Sequence, residues 1–206
     1  MHILFGGTFD PVHDGHLAMI DGLINAFPDA LVHVIPNRHP PHRMTEASSE
    51  HRLAMLEAVL GKYSKVILDQ VELDLQGPSY SVKTLEFFRS IHGENEPLVL
   101  GLGADAAEGF GEWHQPQQVL ELAHVCVLDR AGQTAQLPNV MGALIETGDL
   151  GMLAQFPSGY LVRLKTPIFS VSSTEVRKRI REGNLELLVP EKIKHYISKH
   201  SLYRTH

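Results

Sequence analysis

Residues 2–16 read HILFGGTFDPVHDGH: a short apolar run closed by two glycines, a polar turn, and two histidines three positions apart. The run over 2–6 predicts a strand, and apolar residues at 17, 20, 23, 24 and 27 predict a helix over 15–27. A strand that enters a helix through a glycine turn is the opening unit of a parallel α/β sheet. The turn itself suits an anion. Glycine lets the backbone approach a phosphate chain closely, and the free N–H groups and positive dipole end of the next helix favour negative charge.

Working outward, the alternation continues. Residues 31–36 (LVHVIP), 66–69, 97–102 (PLVLGL) and 123–128 (AHVCVL) predict strands, the last two apolar enough to be buried on both faces. Helices are predicted over 49–61 and 81–92, near 104–109, and over 116–122. A last strand over 160–165 precedes two closing helices, 172–182 and 190–199. Residues 131–160, rich in Gly, Pro and Gln, yield no assignment. The order predicts one α/β domain over 1–206, a doubly wound, Rossmann-like parallel sheet with C-terminal helices. Such sheets bind ligands beyond the carboxyl ends of their strands, near the switch point. Chemistry is therefore expected just after residues 5, 36, 69, 102 and 128, and just before 172.

Composition narrows the class. A chain of 206 residues buries roughly 70 % of its unfolded surface, so a core needs no disulfide or metal. The single cysteine, Cys126, cannot form an internal disulfide, which fits a reducing, cytoplasmic setting. Eighteen Lys and Arg against 24 Asp and Glu give a net −6, contrary to a nucleic-acid coat or a polybasic membrane binder. No apolar run approaches the ~20 residues of a membrane span, and the N-terminus lacks the layout of a signal peptide. The sequence does not specify an oligomeric state. Histidine is the unusual residue, with 13 in the chain.

His13 and His16 stand beside the anion turn. Imidazole can donate hydrogen bonds to phosphoryl oxygens and, when protonated, offset their charge. Taken alone, the pair also fits a turn with two solvated histidines, or a zinc pair, though zinc would need further ligands that no spaced His or Cys pair supplies. A dinucleotide fingerprint would need a third glycine and no histidines. A second anion site is predicted at 170–177 (SVSSTEVR): Ser172 with Glu175 forms a capping box, Ser173 and Thr174 add hydroxyls, and Arg177 offers a planar fork for phosphate. Alone, it is also a plain helix cap with a basic face. Arg179 and Arg181 are expected on a solvated face.

Together these motifs resemble those of nucleotidyltransferases with an H-x-G-H phosphate-binding motif. The string GGTFDPVHDGH is similar to that of bacterial nicotinate-nucleotide adenylyltransferases, and the resemblance extends to the C-terminus except over 131–160. It implies transfer of the adenylyl group of ATP to nicotinate mononucleotide, giving deamido-NAD and pyrophosphate by in-line displacement at the α-phosphorus. It assigns ATP to Gly6, Gly7, Thr8, Phe9, Asp105, Ser172, Ser173, Thr174 and Arg177, with His13, His16 and Arg177 catalytic. For the mononucleotide it points to Asn37, His42 and Arg43 in PNRHPPHR, and to Ser79, Tyr80 and Ser81 in GPSYS, where Ser81 replaces the family's Thr. Trp113 matches a tryptophan that stacks on the pyridine ring. Arg130 matches an arginine near the nucleotide, although the arginine–proline pair that often follows is missing. Magnesium is expected on the ATP phosphates, since no dedicated carboxylate cage is visible. A phosphopantetheine or cytidylyl enzyme would share the histidine loop but lack the 36–43, 78–81 and Trp113 set. A nicotinamide-dependent oxidoreductase would carry an acidic residue where PNRHPPHR stands, and a silent nucleotide-binding regulator would not need both phosphate motifs.

Overall fold

In the computed structural model, which describes residues 1–39, 44–75, 77–130 (only the backbone of Arg130), 132, 134–167, 171–184 and 189–204, strand β1 (His2–Gly7) lies inside a seven-stranded sheet. On one side it pairs with β2 (Leu31–Pro36), followed by β3 (Val66–Leu68); on the other it pairs with β4 (Leu98–Gly103), followed by β5 (His124–Arg130), β7 (Tyr160–Thr166) and β6 (Ile145–Glu146). Every pairing is parallel. The sheet reverses its order between β1 and β4, which makes the end of β1 the switch point, the place where sheets of this kind bind ligands.

A parallel sheet must be covered on both faces, and the strand alternation divides the core accordingly. Ile3, Phe5, Val99, Cys126 and Leu128 point to one face, covered by α1 (Asp14–Ala26), α2 (Ser49–Leu60), α7 (Ser173–Arg181) and α8 (Glu191–Lys199). Leu4, Leu98, Leu100, Val125 and Val127 point to the other, covered by α3 (Val71–Asp74), α4 (Ser81–His92), α5 (Ala104–Glu108) and α6 (Pro116–Leu122). Two glycines of β4 set the depth of α1: a Cβ on Gly101 would stand 3.3 Å from Leu23 Cδ1, and one on Gly103 3.3 Å from Met19 Sδ. Desolvation pushes the pKa of the buried Cys126 thiol up to about 12, which keeps it in the unreactive thiol form.

The differences from the sequence reading are local. Residue 69 is not in a strand: Asp69 Oδ1 accepts from Val71 N at 3.0 Å, opening the four-residue α3, which is too short to show a helical period. The unassigned stretch holds two 3₁₀ turns, Asn139–Ala143 and Leu150–Ala154, and the two-residue edge strand β6. Among the described residues no helix is long and apolar enough to cross a membrane.

Phe88 is fully enclosed between α4 and the sheet. Phe88→Ala should therefore cost about 3–5 kcal/mol, read as a lower urea midpoint at unchanged slope. A loss below ~1 kcal/mol would mean that this face repacks freely.

Candidate active site

The end of β1 is shaped by what its glycines leave room for. A Cβ on Gly7 would lie 2.8 Å from the Phe9 ring, so the ring can tuck under the turn only because residue 7 is glycine. Phe9 itself is buried with φ 49°, a left-handed conformation rare for a non-glycine residue and held here by packing. Gly6 is different: its surface is open, and a Cβ would meet only Ile35 O at 4.0 Å. The peptide Asp10–Pro11 is cis. The turn is joined to the next strand by Asn37 N, which donates to Gly7 O at 2.9 Å.

His13 caps α1, and the two histidines cap it reciprocally. His16 N donates to His13 Nδ1, and His13 N donates to His16 Nδ1, each at 3.3 Å. The rings stack with centroids 3.7 Å apart, and the Phe9 ring meets His16 edge-on at 4.9 Å. A Cβ on residue 15 would stand 3.0 Å from His13 Nδ1, which is why the middle of H-x-G-H is glycine. The cap decides the tautomer. Both Nδ1 atoms accept, so in the neutral ring the proton sits on Nε2. Burial, and then the neighbouring His13, hold His16 well below the ordinary histidine range. His16 is therefore a neutral donor at pH 7 in the free protein, and not the cation that the sequence allows.

Around this turn lies a network of buried charge. Asp10, 2 % exposed, accepts Glu46 N on Oδ2 at 2.8 Å and Ala47 N on Oδ1 at 3.1 Å. Tyr203 donates its hydroxyl to Oδ1 at 2.8 Å. Arg177 Nη1 donates to Asp10 O at 2.6 Å and lies 3.9 Å from its carboxylate. Arg52, 1 % exposed, donates to Thr8 O at 2.8 Å. Arg177 Nε also donates to Glu46 Oε1 at 2.8 Å, and Arg181 pairs with the other oxygen of the same carboxylate. The Arg181 guanidinium, and with it Arg177, holds Glu46 below the usual carboxylate range.

On the far side of the switch point, the segment after β2 meets Ser79. Ser79 Oγ accepts Arg38 N at 2.9 Å and His39 N at 3.3 Å, while Ser79 N donates to His39 O. Helix α4 begins at Ser81 with no side-chain cap, which leaves its positive end for an external anion. Tyr80 stacks on His114, centroids 4.3 Å apart, beside the half-buried Trp113, which packs on Phe110 at 5.0 Å.

The predicted residues thus divide. Gly6, Gly7, Thr8, Phe9, His13 and His16 form one turn, and Arg177 reaches it from α7. Asn37, Ser79, Tyr80 and Ser81 form the neighbouring wall, and Trp113 and the exposed Asp105 follow β4. One expectation needs correction. Ser172 Oγ does accept Glu175 N at 3.2 Å, but the Glu175 carboxylate turns to Arg179 at 2.8 Å, because a cation one turn away is a stronger partner than the cap N–H; the box is half made. Ser173 donates its hydroxyl to Pro11 O at 3.0 Å and ties α7 to the histidine turn. Arg181 is exposed, as expected, and there pairs with Glu46. His42, Arg43 and the Arg130 side chain lie outside the described residues. Sequence reasoning misses Asp10, Glu46, Arg52, Tyr203, Glu72 and His114; the position of Asp10 inside the quoted turn is the only signal for any of them.

A glycine turn and an H-x-G-H helix start at the switch point of a parallel sheet are the features of a nucleotidyltransferase. Residues 4–179 match the model of the cytidylyltransferase-like family, to which the chain belongs. Within it the chain is a member of the nicotinate-nucleotide adenylyltransferases. It is 38 % identical over 206 residues to a protein of Chromohalobacter salexigens named "Probable nicotinate-nucleotide adenylyltransferase", covering 97 % of this chain and 94 % of that one. It is 35 % identical over 212 residues to the nicotinate-nucleotide adenylyltransferase of Salmonella typhimurium, covering 99 % of each. The fold is also that of the Plasmodium falciparum nicotinic acid mononucleotide adenylyltransferase solved with NaAD, at TM-score 0.73, 21 % identity and coverage of 98 % of this chain and 96 % of that one.

Two outcomes follow from the histidine cap. Gly15→Ala should push the His13 ring aside and lower kcat at least ~10-fold, with a stability loss of no more than ~2 kcal/mol; an unchanged kcat would show that the cap does not place the rings. His16 is neutral when folded but takes a proton below about pH 6.5 when unfolded, so its contribution to stability is intact above that pH and is lost as pH falls towards the folded value. Urea titrations should therefore show wild type losing more stability between pH 7 and 5.5 than His16→Asn does, and parallel losses would contradict the depressed value.

Proposed function

We propose that this chain transfers the adenylyl group of ATP to nicotinate mononucleotide, giving deamido-NAD and pyrophosphate. The observation that carries the reading is the reciprocal cap of His13 and His16 beside the glycine turn, which commits both Nδ1 atoms to backbone N–H groups and so leaves the proton of a neutral ring on Nε2. A phosphate oxygen of the mononucleotide is already anionic at neutral pH, so it can attack the α-phosphorus without a general base. What the protein must supply is alignment and stabilisation of charge as pyrophosphate leaves. A neutral Nε2–H donor on His16 suits that role, because it strengthens as the oxygens gain charge and needs no proton from solution. Gly6 presents open backbone to the phosphates. Arg177 supplies fixed charge, and ATP phosphate competes with Glu46 for its guanidinium. Magnesium comes with ATP; among the described residues no three His, Cys, Asp or Glu side chains are grouped to hold a metal ion. The setting we infer is the cytoplasm, with both substrates small molecules.

The acid is preferred to the amide because the two rings have nearly the same shape, and only donors that suit an anion can separate them. The uncapped start of α4 and the Ser81 hydroxyl are such donors. We expect kcat/KM to favour nicotinate over nicotinamide mononucleotide by at least ~10²-fold, on the order of 3 kcal/mol. Pyrophosphate release from ATP and magnesium with each mononucleotide checks this, and equal use of the amide would overturn the acid-specific assignment. In the same assay His16→Ala should lower kcat by roughly 10²-fold with ATP affinity within a few-fold. Weakened ATP binding at unchanged kcat would make His16 a ground-state contact.

A further inference from the structure

Glu72 is a glutamate buried to 5 % exposure in the one-turn helix α3, on the face of the sheet opposite α1. Its carboxylate is surrounded by donors from three separate segments. Asn37 Nδ2 donates to Oε2 at 2.8 Å from the end of β2, and Thr84 Oγ1 donates to Oε1 at 2.8 Å from the first turn of α4. The Ser79 hydroxyl completes the set. Burial raises the Glu72 carboxyl above its ordinary range while Thr84, Asn37 and Ser79 oppose that shift. A carboxylate buried only to join two elements would be a costly choice, because an apolar residue would join them as well. What an apolar residue cannot do is orient an amide.

The geometry points to Glu72 as a positioning residue for the mononucleotide, one that fixes the polarity of the Asn37 amide. A carboxylate can only accept, so Nδ2 must face it, and Asn37 then meets the ligand with its acceptor Oδ1. An acceptor at that place selects a donor on the ligand, such as a sugar hydroxyl, and does not suit the phosphate or the ring carboxylate. The inference rests on the reading of Asn37 as a residue of the mononucleotide site, beside the glycine turn to which its own N–H is bonded.

Steady-state kinetics on a double-mutant cycle test it. Glu72→Ala should raise KM for nicotinate mononucleotide by about 10-fold or more, with KM for ATP within about twofold and kcat within about threefold. Asn37→Leu should do the same, and the double variant should be no worse than the poorer single one, since both remove one interaction. If Glu72→Ala does not fold, Glu72→Gln serves in its place: its amide seats Asn37 either way round, so KM for the mononucleotide should still rise about threefold or more. The inference is overturned if the folded variants keep KM for the mononucleotide within twofold of wild type, if both substrates weaken in parallel, or if the two effects multiply. Turnover of the mononucleotide by wild type is the control; its absence would mean that the substrate reading had failed before Glu72 was tested.

Discussion

The carboxylate of Asp10 is the interaction on which the site depends. It is the second residue after Thr8 in the glycine turn, yet its partners come from three distant places: the backbone at Glu46 and Ala47, the hydroxyl of Tyr203, and the guanidinium of Arg177. Each of its oxygens takes a backbone N–H, so the position cannot turn without leaving a buried donor unpaired. Through this one group the turn after β1, the approach to α2, the helix α7 and the C-terminal segment are held in a single arrangement. Arg52 secures the same turn from the side by its bond to Thr8 O. The two segments proposed to bind phosphate, 162 residues apart at the Ser173 to Pro11 bond, are thus held side by side.

The histidines work within that frame by a local mechanism. A cap made of two imidazoles uses their Nδ1 atoms for structure and leaves the proton of a neutral ring on Nε2, so the contact that starts α1 also sets the tautomer that the proposed reaction needs. Holding His16 neutral has a physical advantage near a triphosphate. A cation would bind the ground state as strongly as the transition state, whereas a neutral donor gains most where the oxygens are gaining charge. In the proposed reaction fixed positive charge comes separately from Arg177, which in the free protein pairs with Glu46.

How much the sequence reveals follows from the range of the interactions. The strands, the division of the helices and the switch point are legible, because alternating apolar runs and a glycine turn report local geometry. His13, His16, Gly7 and Ser172 are legible for the same reason: their partners are within a few residues. Asp10 is visible as a letter but not as a hub, since nothing near it in sequence indicates Tyr203. Arg52 and Glu72 are invisible because a charged residue in a helix is read as solvated, and only the fold shows that these are buried. Glu175 misleads through competition, a cap partner lost to Arg179 on the same helix.

The most direct test of this account is the kcat/KM for ATP of Asp10→Asn, measured by pyrophosphate release with a melting curve alongside. Asparagine keeps the size but sets an NH₂ against one of the two backbone donors, so the turn and Arg177 should lose their common alignment. The account predicts a fall of at least ~10²-fold in kcat/KM for ATP in a protein that still melts cooperatively. A folded Asp10→Asn variant that turns over ATP as wild type does would contradict it, and would show that the phosphate surface is aligned without its buried carboxylate.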